Sequence, residues 1–341
     1  MKTLHLSIIV ILLLMIGYIS QAFSFEMSEV KVGANPWAIS VNPYTNKIYV
    51  TNSGNDTATI IDGKTNVVIN NIVIGENPTG VAVNPVTNLI YISKFSAPTV
   101  TVIDGNTNVV TGTIQVGNRP NGIGINEITN RIYVANTASA SVSVIDGKTN
   151  VVTTTIPVGV RPTAVSINPS TNIVYVTNSG VGTVSIIDGK TNMVIKTISV
   201  GSGTSGVSVN QDTNNVYVSS SNTDQVIVID GTTNTVSANV TVGANPDGVS
   251  VDPKSDKIYV ANSGDGTVSV IDGKTNAVSD TIHAGTNVYG ISVNPSTGVV
   301  YAGNDNPGIV YVISDIERTQ TTNYDILDDI IQFFSRLFNV K

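Results

Sequence analysis

The sequence lacks cysteine and contains only two histidines, so several common catalytic and metal-binding groups are missing. Without cysteine there is neither a thiol nucleophile nor a disulfide, and stability must come from packed structure. The two histidines, His5 and His283, lie far apart in the chain. We therefore expect no histidine metal site, no histidine acid–base relay and no cofactor.

Charge is also scarce, because Asp, Glu, Lys and Arg together make up only 12% of the 341 residues. Acidic residues outnumber basic ones by 24 to 17, which gives a net charge of -7. Binding to nucleic acids depends mainly on clustered Lys and Arg that neutralise phosphates. DNA and RNA are therefore excluded as expected partners.

What the sequence does contain is a repeat of 42 residues that runs without insertion or deletion. It is marked by a glycine column at Gly33, Gly75, Gly117, Gly159, Gly201, Gly243 and Gly285, and by a tyrosine column at Tyr49, Tyr91, Tyr133, Tyr175, Tyr217, Tyr259 and Tyr301. A period near 40, with turn residues between β-branched runs, is typical of propellers that supply one four-stranded blade per repeat. We predict an all-β, seven-bladed β-propeller.

The first repeat shows how a blade is built. Four β-branched runs separated by turn residues predict strands at about Ala38–Val41, Lys47–Thr51, Thr57–Ile61 and Val67–Ile74. The seventh repeat loses the pattern at Ser314 and has no fourth strand. Residues 27–32 match the end of a fourth strand, so we expect the N-terminal strand to complete blade seven and close the ring.

The tyrosine column belongs to a motif of four residues. Tyr-Val-Thr-Asn occurs at 49–52 and 175–178, and Tyr-Val-Ala-Asn at 133–136 and 259–262. The chain thus resembles the YVTN family of β-propeller repeat proteins, many of them archaeal surface-layer or other exported proteins. The resemblance covers about residues 32–315 and implies the propeller fold, but it implies little about activity. Blades two, five and seven depart from it with Tyr-Ile-Ser-Lys, Tyr-Val-Ser-Ser and Tyr-Ala-Gly-Asn.

The two ends of the chain differ from the repeat. Residues 1–24 read as a signal peptide or an N-terminal anchor, because Lys2 and His5 precede an apolar run from Leu6 to Ile19. The small residues Ser20 and Ala22 that follow the run fit a cleavage site. We therefore expect an exported protein, extracellular or at the cell surface, that contacts a membrane only through this segment if it is not cleaved. In an exported chain, Asn55 and Asn239 are candidates for glycosylation.

After the propeller, predicted over residues 27–315, we expect a linker at 316–324 and an amphipathic helix at 325–341. Apolar residues recur at helical spacing on one face of that helix: Leu327, Ile330, Ile331, Phe334, Leu337 and Phe338. Such a face does not remain in water. We expect it to dock on its own propeller or to mediate self-association.

The first and third turns of each blade, residues 42–46 and 62–66 in blade one, are nearly the same in most blades. The entrance to the inner strand and the second turn, residues 34–37 and 52–57 in blade one, vary among the blades. The variable segments lie at the end of the blade opposite the two similar turns, and we call that end the variable face. At the inner rim of this variable face we expect Trp37, Asp247 and Tyr289 to lie close together, where they suit a sugar or a peptide. Lys94, Arg119 and Arg161 form a possible positive island for a carboxylate, an anionic glycan or an acidic loop. Both groups also have a simpler interpretation, as a cover of the channel mouth and as scattered surface charges.

The aspartate column of Asp62, Asp104, Asp146, Asp188, Asp230 and Asp272 supplies too few oxygens per turn for a calcium site, and we interpret it as capping its own turns. Since fold alone does not give function, we infer the function from these site residues. The main prediction is a non-catalytic, non-enzymatic binding or assembly scaffold of the cell surface or envelope, with an envelope protein or glycan as partner. The alternative is a glycan- or small-ligand-processing enzyme of the hydrolase or lactonase type that uses the variable face.

Overall fold

The computed structural model describes residues 24–316, which form seven four-stranded antiparallel sheets. The predicted seven-bladed β-propeller is thereby confirmed, and residues 27–313 make one compact unit. Within 24–316 there is no helix long and apolar enough to cross a membrane. The predicted signal or anchor before residue 24, and the linker and amphipathic helix after residue 316, lie outside the described residues, so the helix gains no support from the structure.

In blades one to six, four consecutive strands run from the centre of the ring to its outer edge. Blade one contains β2 (Pro36–Asn42), β3 (Lys47–Asn52), β4 (Thr57–Asp62) and β5 (Val67–Val73). Blade two contains β6 (Pro78–Asn84), β7 (Leu89–Lys94), β8 (Thr99–Asp104) and β9 (Val109–Gln115). Blade three contains β10 (Pro120–Asn126), β11 (Arg131–Asn136), β12 (Ser141–Asp146) and β13 (Val151–Pro157).

The second half of the ring repeats this order. Blade four contains β14 (Pro162–Asn168), β15 (Ile173–Asn178), β16 (Thr183–Asp188) and β17 (Met193–Ser199). Blade five contains β18 (Thr204–Asn210), β19 (Asn215–Ser220), β20 (Gln225–Asp230) and β21 (Thr235–Thr241). Blade six contains β22 (Pro246–Asp252), β23 (Lys257–Asn262), β24 (Thr267–Asp272) and β25 (Ala277–His283). Blade seven contains β26 (Val288–Val293), β27 (Val300–Asn304), β28 (Ile309–Ile316) and, from the other end of the chain, β1 (Ser24–Lys31).

The ring closes through this N-terminal strand. The strand order of blade seven is β1-β28-β27-β26, so β1 takes the outer place that a fourth strand holds in other blades. This confirms the predicted pairing, although the strand begins at Ser24 rather than Met27. Hydrogen bonds also cross from blade seven to blade one, as where the Asn294 amide donates to Oδ1 of Asn46 at 2.7 Å.

The Tyr-Val-Thr-Asn motif joins each blade to itself and to the next one. The tyrosine rings are buried between blades, and Oη of Tyr91 donates to Oδ1 of Asn150 in blade three at 3.0 Å. The third position, Thr51 in blade one, donates its hydroxyl to the carbonyl of Thr79 in blade two at 2.7 Å. The fourth, Asn52, donates to the hydroxyl of Thr59 within its own blade at 2.8 Å. These three hydrogen bonds pair buried polar groups of the motif, whereas the buried hydroxyl of Tyr49 has no partner in the described structure.

Small residues on the inner strands let neighbouring blades approach. A Cβ added at Gly122 would lie 2.5 Å from the carbonyl oxygen of Thr163, and one at Gly206 would lie 2.4 Å from that of Asp247. Side chains do not fit at such distances, so the glycines set the spacing of the inner strands.

Replacing Gly122 by alanine should therefore lower the free energy of unfolding by about 1–3 kcal/mol, the usual range for overpacking. Gly112→Ala is a matched control, since a Cβ at Gly112 on the outer strand β9 meets nothing within 4 Å. The control should change the free energy by less than about 0.5 kcal/mol. Urea unfolding of the two variants measures the difference, and equal values would contradict this account of the inner strands.

Candidate functional site

The inner strands converge on the variable face around a depression of about 280 Å³, which we call the central depression. Each inner strand packs against those of the two adjacent blades, and β26 packs against β2, so residues from all seven blades meet here. Six residues that occupy the same position of the 42-residue repeat line the central depression: Trp37, Asn121, Thr163, Ser205, Asp247 and Tyr289. The structure thus brings together Trp37, Asp247 and Tyr289, as the sequence predicts.

Two aromatic rings form one wall of the central depression. Trp37 is the second residue of β2, and Tyr289 is the second residue of β26. Their rings stack with centroids 5.4 Å apart and planes 17° from parallel. Trp37 remains 41% exposed, so the pair offers an apolar surface to a ligand. Burial, followed by the Asp305 and Asp247 carboxylates, raises the pKa of Tyr289, which keeps its hydroxyl protonated.

Asp247 supplies the carboxyl group of the central depression. It lies on β22, and its side chain accepts a hydrogen bond from the hydroxyl of Ser205 in the adjacent blade. Its backbone carbonyl accepts a second hydrogen bond, from Oγ of Ser219 at 2.5 Å. Burial raises the pKa of Asp247, while the hydrogen bond from Ser205 acts in the opposite direction. A carboxyl group with a raised pKa is suited to proton transfer.

Ser205 occupies the same position of the repeat as Trp37, Asp247 and Tyr289, but the sequence alone does not indicate a role for it. Ser205 and Asp247 are equivalent positions of adjacent repeats, 42 residues apart. Because the inner strands of adjacent blades lie side by side, equivalent positions of adjacent repeats are neighbours. A serine at this position in one repeat and an aspartate in the next is therefore the sequence pattern that could have indicated this hydrogen bond. Ser219, the third residue of its blade's motif, was likewise visible only as a departure from Tyr-Val-Thr-Asn.

The three basic residues do not form one free positive island. Nζ of Lys94 lies 2.7 Å from a carboxylate oxygen of Glu76, so its charge is neutralised. The guanidinium of Arg119 lies over the ring of Phe95, 5.5 Å from its centroid. Arg161 is exposed at the equivalent position one blade further on. Within residues 24–316, no described contact joins the three.

The aspartate column caps turns, as interpreted from the sequence. In all six turns the carboxylate accepts the backbone N–H two residues later at 2.7–2.9 Å. These backbone donors hold the pKa of Asp62, Asp146 and Asp230 below its ordinary value. Both glycosylation candidates are accessible, since Asn55 lies in an exposed turn and Asn239 is exposed on the outer strand β21.

No protein-family model and no curated protein matches the sequence. Among solved structures, the chain is similar to a chain of "Kuenenia stuttgartiensis Hydrazine Synthase", with a TM-score of 0.75 and 19% sequence identity. The match covers 84% of this chain and 97% of that chain. At this identity the likeness shows the propeller fold alone. Membership of the YVTN family, with its surface-layer associations, is not confirmed.

The comparison contradicts two predictions made from the sequence. We expected a non-catalytic scaffold and no enzymatic activity, yet the solved chain that shares this fold belongs to a protein named as an enzyme. Both predictions are given up as wrong. Their basis was the lack of histidine and cysteine, and that lack does not remove proton transfer by a carboxyl group such as that of Asp247.

Proposed function

We propose that this protein is an enzyme that hydrolyses a small lactone or ester in the central depression. The observation that carries the proposal is Asp247, a carboxyl group with a raised pKa that is hydrogen-bonded to Ser205 and faces the stacked Trp37 and Tyr289. The similar solved chain bears the name of an enzyme, which supports catalysis as such and says nothing about this reaction.

In the proposed reaction the Asp247 carboxylate takes a proton from a water molecule, and the resulting hydroxide adds to the carbonyl carbon. Negative charge then develops on the carbonyl oxygen. The protonated hydroxyl of Tyr289 and the amide of Asn121 are donors in the lining that stabilise it. When the carbon–oxygen bond breaks, the departing alkoxide takes the proton back from Asp247. Atoms and charge balance: an ester gives an acid and an alcohol, and a lactone gives a single hydroxy acid.

Glycoside hydrolysis fits this site less well. It ordinarily requires two carboxyl groups on opposite sides of the scissile bond. Asp247 is the only carboxyl-bearing residue among those lining the central depression. The volume of the central depression, about 280 Å³, is also slightly below the usual range of ligand pockets, about 300–1,000 Å³. A compact ring such as a sugar lactone is the substrate class that combines a carbonyl group with a surface for aromatic stacking.

The experiment is to assay the purified full-length chain against a panel of sugar lactones and small esters by pH-stat titration. We expect turnover, and we expect Trp37→Ala to raise KM about tenfold, equivalent to about 1.4 kcal/mol of lost contact, with a smaller change in kcat. The control is Tyr44→Ala. Tyr44 is 72% exposed in the turn between β2 and β3, at the end of the blade opposite the variable face. No turnover of any member of the panel, or the same KM in Trp37→Ala, would reject the proposal.

A further inference from the structure

The seam between blades two and three combines several departures from the 42-residue repeat. Position 95 holds phenylalanine, whereas five other blades have a hydroxyl residue there: Ser53, Thr137, Ser179, Ser221 and Ser263. Position 119 holds arginine, whereas four blades have asparagine there: Asn35, Asn77, Asn245 and Asn287. Position 94 holds lysine in place of the motif asparagine, and Glu76 pairs with it.

These departures replace favourable local structure. In other blades the hydroxyl donates to a backbone carbonyl, as from Ser179 to Arg161 at 3.0 Å and from Ser263 to Asn245 at 3.0 Å. Phe95 has no side-chain donor for that bond. Arg119 adopts a φ of 51° and Arg161, one blade further on, a φ of 55°, a left-handed conformation for which asparagine is better suited. Phenylalanine at position 95 and lysine at position 94 are the departures that occur in this blade and in no other. Sequence choices that weaken a repeat at one place indicate a role there other than stability.

Two of the departing residues, Phe95 and Arg119, line a second cavity. It has a volume of about 550 Å³, and its lining includes Asn77, Phe95, Pro98, Asn118, Arg119 and Ala138. We call it the seam cavity. It shares no lining residue with the central depression. One wall is apolar, from Phe95, Pro98 and Ala138, and the amides of Asn77 and Asn118 add hydrogen-bonding groups.

The electrostatics of the seam cavity leave one positive charge. Nζ of Lys94 lies 2.7 Å from a carboxylate oxygen of Glu76, so these two charges neutralise each other. Arg119 has the Phe95 ring beneath it and, within that part of the chain, no carboxylate at ion-pair distance. Its guanidinium edge is therefore available to an anion, in a protein whose net charge is -7.

We propose that the seam cavity binds a small organic carboxylate with an apolar or aromatic body. The planar guanidinium of Arg119 pairs with the carboxylate through two parallel N–H···O hydrogen bonds. The body of the ligand lies against Phe95 and Pro98. A phosphate dianion fits less well, because a single unneutralised cation faces it and the apolar wall has nothing to contact. This site is independent of the reaction proposed at Asp247.

The test uses benzoate as the probe and isothermal titration calorimetry of the full-length protein as the readout. Saturable binding is expected, and Arg119→Asn should weaken it at least tenfold through loss of the charge-assisted hydrogen bonds. Asparagine already occupies this position in four blades, so this variant should fold normally. Phe95→Ser, which restores the residue type of the repeat, should also weaken binding at least threefold without lowering the melting temperature.

Three controls make the test specific. Arg161→Asn removes the same charge from the equivalent position one blade further on, and it should leave the affinity for benzoate unchanged. Acetate, which lacks the apolar body, and benzyl alcohol, which lacks the charge, should each bind at least tenfold more weakly than benzoate. Absence of saturable binding, an equal affinity in Arg119→Asn, an equal loss in Arg161→Asn or tighter binding of inorganic phosphate would each overturn the proposal. Because the readout is binding, its failure is distinct from failure to find turnover.

Discussion

Asp247→Asn should reduce kcat for lactone or ester hydrolysis by about 10²–10⁴-fold, the contribution typical of a positioned general base. Asparagine keeps the shape of the side chain and still accepts a hydrogen bond from Ser205, but it cannot take a proton from water. Steady-state assays of the wild type and this variant measure the loss. Retention of more than about a tenth of the activity would place the base elsewhere.

The same substitution should raise the stability of the fold, which separates a catalytic from a structural role. The folded-state pKa of Asp247 is raised by burial above that of the unfolded chain. The folded state therefore binds the proton more tightly, and stability is lost as pH rises through the interval between the two pKa values. At a pH above that interval, the wild type carries an unfavourable desolvated charge on Asp247. Asp247→Asn removes this charge and should therefore stabilise the fold. A melting temperature at neutral pH below that of the wild type would indicate a structural role instead.

The pH–rate profile gives an independent view of the same group. As a base, Asp247 is active when ionised, so kcat should rise with pH, with its midpoint above the ordinary range of aspartate. Ser205→Ala removes the hydrogen bond that opposes the raised pKa, and the midpoint should move to still higher pH. A midpoint that moves down, or that does not respond to Ser205→Ala, would contradict this role.

Much of the fold follows from the period of the sequence. Turn residues such as Asn42-Pro43 and Asp62-Gly63 mark the ends of strands, so the predicted and observed bounds of blade one differ by no more than two residues. The missing fourth strand of blade seven, together with the spare strand at residues 27–32, predicts closure of the ring. These features are encoded locally, in turn chemistry and in the alternation of apolar residues.

The candidate site is predicted less completely, because it depends on contacts between blades. Seven rim positions are equivalent in sequence, and only the structure shows that Ser205 points to Asp247. Likewise, Glu76 precedes β6 and Lys94 ends β7, 18 residues further on, and the sequence does not show that they form an ion pair. Side-chain pairing across a seam depends on rotamers, which periodicity does not determine.

Raising the pH should destabilise the propeller between about pH 10 and pH 12, because burial disfavours ionisation of five tyrosines of the column in the folded state. Burial, followed by the carboxylate of an aspartate, raises the pKa to about 12 at Tyr49, Tyr91, Tyr175, Tyr217 and Tyr301. The ordinary value, 10.0, applies to the unfolded chain. The folded state thus keeps protons that the unfolded state releases, so stability is complete below pH 10 and falls as pH rises towards 12.

The expected effect is large because five groups act in the same interval. Each proton that only the unfolded chain releases lowers the free energy of unfolding by about 1.4 kcal/mol per pH unit. Over two pH units, five such protons amount to at most about 14 kcal/mol, and partial exposure to solvent reduces this figure. The loss is therefore comparable with the total stability of about 5–15 kcal/mol of an ordinary domain. Urea unfolding at a series of pH values, with tyrosinate absorbance followed in parallel, should show ionisation and unfolding as one transition.

Single substitutions separate this mechanism from the general effect of alkali. The hydroxyl of Tyr49 has no hydrogen-bond partner in the described structure, so Tyr49→Phe should leave neutral stability unchanged or higher and lower the slope above pH 10 by about one proton. Tyr91→Phe should lower the slope equally but should also cost about 1 kcal/mol at neutral pH, because Tyr91 donates to Asn150. Tyr44→Phe, at an exposed site, should change neither quantity. If the slope is the same in all three variants, lysine deprotonation rather than the tyrosine column drives alkaline unfolding.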